Sequence, residues 1–184
     1  MGADDKIYQM MYQRIPKVIE GKRVLEIATG PGLLAKEVAG YAKEMVATDY
    51  SEGMIREAKK GSYPNNLSFE VADATDLPYE DNSFDVVIIA NALHIMPKPE
   101  KALSEIRRVL KDHGIFIAPN FVEKSENKRG DLWNKFLRLV GISFEHQWTK
   151  DQYENFLVTH GWRIVNSKEV VARLSLVYTE NVKA

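Results

Sequence analysis

Apolar and polar positions alternate along this chain in blocks that switch period. From Asp4 to Glu20, Ile7, Met10, Met11, Ile15 and Val18 recur three and four apart, which predicts an amphipathic helix. Pro16 is expected to kink it or end its first part, and Gly21 to stop it. Val24, Leu25, Ile27 and Ala28 then form a near-continuous apolar run, the pattern of a central strand covered on both faces. Leu33–Tyr41 reads as a helix and Met45–Thr48 as a second strand closed by Asp49. Ser51 is an N-cap for a further helix, with Met54, Ile55 and Ala58 facing inward. Leu67–Ala72 and Phe84–Ala90 are the third and fourth strands. Pro97 and Pro99 introduce a helix to Leu110, His113-Gly114 makes a turn, and Ile115–Pro119 is the fifth strand.

The last third changes rhythm. Asp131–Val140 reads as a helix, and Thr149 with Gln152 forms a capping box for another through Thr159. Trp162–Val171 and Leu174–Thr179 read as two strands, their hairpin turn placed near Ala172-Arg173. Strands alternating with helices at this spacing predict an α/β, doubly wound, mostly parallel sheet. Seven strands are expected, with helices on both faces and a C-terminal antiparallel hairpin.

Composition narrows the picture. At 184 residues the chain is long enough for one domain with a sizeable core. Twenty-five basic against 26 acidic residues give a net charge of −1, so no overall footprint for nucleic acid is expected. There are no cysteines, which excludes disulfides, thiolate metal sites and a cysteine nucleophile. The acidic start and the lack of a long apolar run argue against a leader or a membrane span, and a cytoplasmic protein is expected. No two of the four histidines are four residues apart, so no metal site is expected.

The chemistry gathers around Arg23–Asp49. Gly30-Pro-Gly32-Leu-Leu-Ala35 fits a dinucleotide-binding turn, and Asp49, 19 residues after Gly30, suits a pair of ribose hydroxyls. Alone, that pattern suggests NAD and an oxidoreductase. Three features point elsewhere. Glu26 lies inside the first strand, where a carboxylate must be satisfied. It either takes N–H groups of the turn or meets the ammonium of an amino-acid cofactor. Asp73, after the third strand, can accept from an adenine amino group. The fourth strand ends in Asn91-Ala-Leu-His94 at the switch point of the sheet.

VLEIATGPG, TDYSEGMIREA, VADATDLPYEDNSFDVVIIANALHIM and KALSEIRRVLKDHGIFI together resemble the class I S-adenosylmethionine-dependent methyltransferases of the UbiE/COQ5-like, methyltransferase-11 type. The resemblance covers about Val24–Phe121 and implies a Rossmann-like fold and S-adenosylmethionine as cofactor, S-adenosylhomocysteine being the product. It also implies that Gly30 and Gly32 line the methionine end, with Asn91 at the amino-acid part. By the same resemblance Asp49 binds the ribose, Tyr50 and Met54 lie against the adenine, and Asp73 and Ala74 contact it. Ala28 stands where the family has its first glycine, a methyl that is tolerable if φ there stays negative. Ile95 stands where many relatives carry a second histidine.

The acceptor side is less defined. His94 is the best base, or a group that orients the acceptor, against a helix-end histidine satisfied by backbone. His146 reads as surface or loop packing. Tyr8 and Tyr12 either pack on the sheet or make the first helix a flap over the cleft. Trp133, Phe136 and Trp148, with Phe121, are core fillers or walls of an apolar pocket. The expected divisions are a flap (1–21), a cofactor-binding core (22–120), a substrate-side cover (121–148) and the last helix and hairpin (149–184). A small-molecule acceptor is expected, with a non-catalytic cofactor-binding protein as the other alternative.

Overall fold

A computed structural model describes residues 3–123, 145–171 and 175–184. The expected helix Asp131–Val140, with Trp133 and Phe136, and the Ala172-Arg173 turn lie outside these residues.

The strands are β1 (Arg23–Ile27), β2 (Glu44–Asp49), β3 (Leu67–Val71), β4 (Phe84–Ile89), β5 (Leu110–Ile117), β6 (Asn120–Val122), β7 (Trp162–Val170) and β8 (Ser175–Lys183). The α-helices are α1 (Ala3–Ile19), α2 (Leu33–Val38), α3 (Glu52–Ala58), α4 (Pro99–Val109) and α5 (Lys150–Thr159). The strand order is β3-β2-β1-β4-β5-β8, with β7 outside β8. β1 to β5 are parallel, and β8 runs antiparallel to both β5 and β7.

Among the described residues eight strands fill seven lanes. β5 and β6 pair with the same edge of β8 in one unbroken register, from Phe116↔Asn181 to Val122↔Ser175. Pro119, which has no N–H to give the ladder, sits at the break between them. Alternate residues of β1 serve opposite faces. Val24 packs with α1, α2 and α3, whereas Leu25 and Ile27 pack with α4 and α5. Helices therefore cover both sides of the sheet, and the central strands β1, β2 and β4 are buried on both faces.

Several local expectations are corrected. α1 continues through Pro16, because Ile15, Val18 and Ile19 are buried on either side of it and tie the last turn to the core. Leu33–Tyr41 is an α-helix only to Val38, followed by a 3₁₀ turn over Ala39–Tyr41. Ile55 and Ala58 face inward as expected, but Met54 is exposed on the rim of α3. His113-Gly114 is no turn between helix and strand. β5 starts directly at Leu110, and the pairing with β4 jumps from Phe84↔Leu110 to Val86↔Ile115, which makes residues 111–114 a bulge. Gly114 fits there because a Cβ would stand 2.6 Å from the Leu110 side chain and 3.0 Å from the Asp85 carbonyl. The capping box at Thr149 and Gln152 is present in both directions.

Candidate functional site

β1 and β4 are neighbours from which the chain winds outward in opposite directions, so their C-terminal ends form the crevice of the sheet. Four residues with left-handed backbone stand there: Ala28 (φ 56°), Gly30 (φ 57°), Gly32 (φ 76°) and Asn91 (φ 54°). Asparagine tolerates that conformation and glycine is free in it, but alanine is not. The condition under which Ala28 would be tolerable, a negative φ, is therefore not met. The methyl is carried in a strained turn.

Beside this crevice lies a cavity of about 630 Å³, in the range of small-molecule sites. Of the residues singled out in the sequence, Ala28, Asp49, Tyr50, Asp73 and Ala74 line it. Ile27, Ala72, Thr75 and Ala92 complete that wall, and Ile95 to Lys98 close the far side. Ile95 is the position where relatives carry a second histidine; Met96, Pro97 and Lys98 escaped the sequence reading as site residues, although their place just after the fourth strand is a usable signal. Glu26, Gly30, Gly32, Met54, Asn91 and His94 are not among the lining residues.

Hydrogen bonds organise the turn from beneath. The N–H groups of Gly30 and Ser51 donate to the two carboxylate oxygens of Asp49 at 2.8 and 2.9 Å. Glu26 is buried on the α1 face, and the Thr29 hydroxyl donates to it at 2.8 Å. Burial pushes the Glu26 carboxyl up to about 8, with Asp49 adding to the shift and the Thr29 hydrogen bond opposing it. Asp73 accepts from the N–H and hydroxyl of Thr75, both at 2.8 Å, which holds its carboxyl below the usual range. Gly32 does not open toward a ligand. A Cβ there would lie 2.7 Å from the Phe69 ring, so it lets α2 pack against the sheet. A Cβ on Gly30 would meet nothing within 4 Å. Asn91 donates its N–H to the Pro119 carbonyl at 2.8 Å, and its buried Oδ1 has no partner among the described residues.

The acceptor-side residues divide into two groups. Tyr12 packs against the α1-side core, whereas Tyr8 lies at the surface with its ring 6.1 Å from Tyr12. Burial, then Glu37, Tyr8 and Glu26, raise the Tyr12 phenol, which places it over α2 and the buried carboxyl. His94 is buried in a 3₁₀ turn, its Nδ1 2.8 Å from Asn120 Oδ1 and its ring edge-on to Phe121 at 6.0 Å. Burial depresses its basicity and the Asn120 contact partly restores it. Asn120 was missed, since nothing in the sequence links two residues 26 apart across β4 and β6. The N–H of His146 donates to the His94 carbonyl at 3.0 Å, and the N–H of Glu123 to the Trp148 carbonyl at 2.8 Å. Trp148 stacks on Phe156 at 4.7 Å. Among the described residues no three acidic or histidine side chains gather as a metal site, and no helix is long and apolar enough to cross a membrane.

A doubly wound sheet in this order, with a cavity at its switch point walled by carboxylates, defines a protein built to hold an adenosyl-type ligand. The chain matches the methyltransferase domain model of the Methyltransf_11 type over residues 25–118, just over half of its 184 residues, and it belongs to that family. Family and fold imply S-adenosylmethionine as cofactor. The chain is similar to the demethylmenaquinone methyltransferase of Clavibacter sepedonicus, 34% identical over 120 residues, covering 65% of this chain and 49% of the relative. It is also similar to the ubiquinone/menaquinone biosynthesis C-methyltransferase UbiE of Rickettsia bellii, 37% identical over 131 residues, with 66% and 52% covered. The chain thus spans about half the length of the curated relatives it matches. Its fold matches an S-adenosylmethionine-dependent methyltransferase of Mesorhizobium loti with a TM-score of 0.78 at 16% identity, covering 99% of this chain and 100% of that one.

The residues present fit such a cofactor. The acceptors at the crevice are Asp49, Asp73 and the orphaned Asn91 Oδ1, with Lys98 the one cation among the lining residues. They suit a ligand rich in donors and positive charge. A pyrophosphate would need the N–H of Gly30, which Asp49 already takes. Nor are NAD chemistry and cofactor binding without catalysis favoured by the family match.

Proposed function

We propose that the chain transfers a methyl group from S-adenosylmethionine to a small, hydroxylated aromatic molecule. The observation that carries the reading is the cavity between Asp49, Asp73 and Ala28 at the β1/β4 switch point. Asp49 would hold the ribose hydroxyls, and Asp73 with the Ala74 backbone would take the adenine edge. Tyr50 would cover the adenine face, with Met54 at its rim. Gly30 leaves room at the methionine end, where Asn91 Oδ1 and Glu26 would face the ammonium. Gly32 contributes the shape of the turn.

The cofactor, when bound, supplies a methyl group on an already activated sulfonium. The chain's own task is then to orient the acceptor in line, exclude water and accept a proton where the acceptor carries one. His94, Phe121, Trp148 and Tyr12 stand on that side, and the domain divisions expected from the sequence are kept as part of the reading. The names of the two relatives point to quinol-like aromatic acceptors. The lack of cysteine supports a cytoplasmic location, and the balanced charge supports a reading without a nucleic-acid partner.

Calorimetric titration with S-adenosylmethionine and S-adenosylhomocysteine tests the proposal, and no binding at millimolar concentration would sink it. Thermal stabilisation by NAD without any response to S-adenosylhomocysteine would transfer the chain to the oxidoreductases. Cofactor binding without turnover on any aromatic hydroxyl compound would make it a binding protein.

A further inference from the structure

We infer that Asn120 is a positioning residue of the acceptor side: it fixes the His94 ring in its Nδ1–H form and ties the segment that carries it to β6; the inference rests on the methyltransferase reading above.

His94 belongs to the segment that walls the cavity, since Ala92 before it and Ile95 after it are lining residues. Its ring is buried in the 3₁₀ turn Leu93–Ile95, with Nδ1 2.8 Å from the Oδ1 of Asn120, which is also buried. Which of these two atoms holds the proton follows from the other end of the amide. The Asn120 Nδ2 donates to the Phe121 carbonyl at 3.0 Å. Turning the amide over would set its oxygen against that carbonyl oxygen with no hydrogen between them, so Oδ1 is the atom that faces the ring. An amide oxygen only accepts, and the proton therefore sits on His94 Nδ1.

Burial depresses the basicity of His94, which keeps the ring neutral near pH 7. A neutral imidazole has one N–H. With that N–H committed to Asn120, Nε2 carries the lone pair and enters any hydrogen bond as the accepting atom. The ring can serve as a base or as an orienting acceptor, and the part of a proton donor is closed to it. The amide that sets this polarity is itself held in place. Asn120 pairs with Val177 of β8, the preceding Pro119 carbonyl takes the Asn91 N–H at 2.8 Å, and the following Phe121 ring stands edge-on to His94 at 6.0 Å. β6 and the residue before it thus grip the segment after β4 at both Asn91 and His94. The hydrogen bond made by one ring nitrogen decides what the other can do.

The test uses the full chain labelled with ¹⁵N-histidine in the presence of S-adenosylhomocysteine, the His94 ring signals being assigned by their loss in His94→Gln. Ring proton–nitrogen correlations at neutral pH are expected to show a protonated Nδ1 and an unprotonated Nε2 in the parent. Asn120→Ala should spread the ring over both tautomers, and Asn120→Asp, which keeps an accepting oxygen, should return the proton to Nδ1. With S-adenosylmethionine and 1,4-naphthalenediol, Asn120→Ala should lose roughly ten- to a hundredfold in kcat, the scale on which orienting partners of metal-bound histidines act, with S-adenosylhomocysteine affinity unchanged. Asn120→Asp should recover part of that rate. A parent ring protonated on Nε2 would overturn the inference, as would an undiminished kcat in Asn120→Ala or a rate loss that tracks weakened cofactor binding. If the parent chain binds no S-adenosylhomocysteine, the methyltransferase reading falls, and the His94 tautomer in the cofactor-free chain still decides the role of Asn120.

Discussion

Ala28 offers a direct measurement of the strain in the cofactor turn. Its φ of 56° places an L-residue in left-handed backbone, at a cost of roughly 1–2 kcal/mol. Ala28→Gly removes that cost. The variant loses about 0.4–1 kcal/mol through the greater freedom of glycine in the unfolded chain. It also forfeits about half of the roughly 0.8 kcal/mol of a buried methyl, since Ala28 is only partly buried. The balance is a gain of about 0.5 kcal/mol, or about 1–2 °C in Tm for a chain of this length.

Gly30→Ala makes the reverse change at φ 57°, where the new methyl meets nothing within 4 Å. It therefore reads the backbone contribution alone and should lose about 0.5–1 kcal/mol. Urea denaturation of the parent and both variants, with unchanged m-values, measures the two shifts side by side. Opposite signs are expected. A less stable Ala28→Gly protein would refute the reasoning, because it would mean that the methyl is held by packing that outweighs its strained backbone.

Three further perturbations follow from the same geometry. Asp49→Ala should weaken S-adenosylhomocysteine binding by about 1.5–3 kcal/mol, the scale of charge-assisted hydrogen bonds, measured by calorimetry. It should also lower Tm, since the N–H groups of Gly30 and Ser51 lose their acceptor. Glu26 has a folded-state pKa raised from 4.5 to about 8 by burial, so the native state binds the extra proton and stability falls as pH rises through that interval. Glu26→Gln should flatten the slope between pH 5 and 8 in denaturation midpoints, and an unchanged slope would show that another group carries it. Arg14 donates to both oxygens of Glu180 at 2.6 and 2.7 Å. Arg14→Met should cost about 3 kcal/mol by leaving that buried carboxylate with only the neutral partners Tyr178 and Asn166, and recovery in the double variant Arg14→Met, Glu180→Gln would confirm the cause.

The parts of this fold that could be read in the sequence are those that obey one local rule. β1, β2 and β4 are apolar runs because both their faces are covered. The Ser51 cap and the Thr149 capping box need only their own first turn. β6 and the early start of β5 depend on partners far away. Asn120–Val122 is a strand only because β8 lies beside it, and Leu110 is one only because a bulge lets Phe84 pair with it. Met54 illustrates the limit of periodicity: it shares a helix with Ile55 and Ala58 but is exposed to solvent instead of facing the sheet. His146 reads as loop packing and stacks on Trp148, but the His94 carbonyl that takes its N–H is invisible from its own neighbourhood.

The same division separates the two halves of the site. The proposed cofactor half is built from short turns after β1, β2 and β3, tied across neighbouring strands as Gly30 is to Asp49, 19 residues on. A family pattern can therefore record it, and the Methyltransf_11 match ends at Ala118. At Pro119 the fifth lane breaks, and the Pro119 carbonyl takes the N–H of Asn91. Beyond the break, β6 presents Asn120 to His94 and ends at Glu123, whose N–H ties down Trp148. One interruption in the sheet thus joins three things: the left-handed Asn91, the support of His94 and the strap that carries His146. If that linkage governs the acceptor side, Asn120→Ala should alter turnover while leaving S-adenosylhomocysteine affinity near that of the parent. Equal losses in both would mean that the two halves of the site are one mechanical unit.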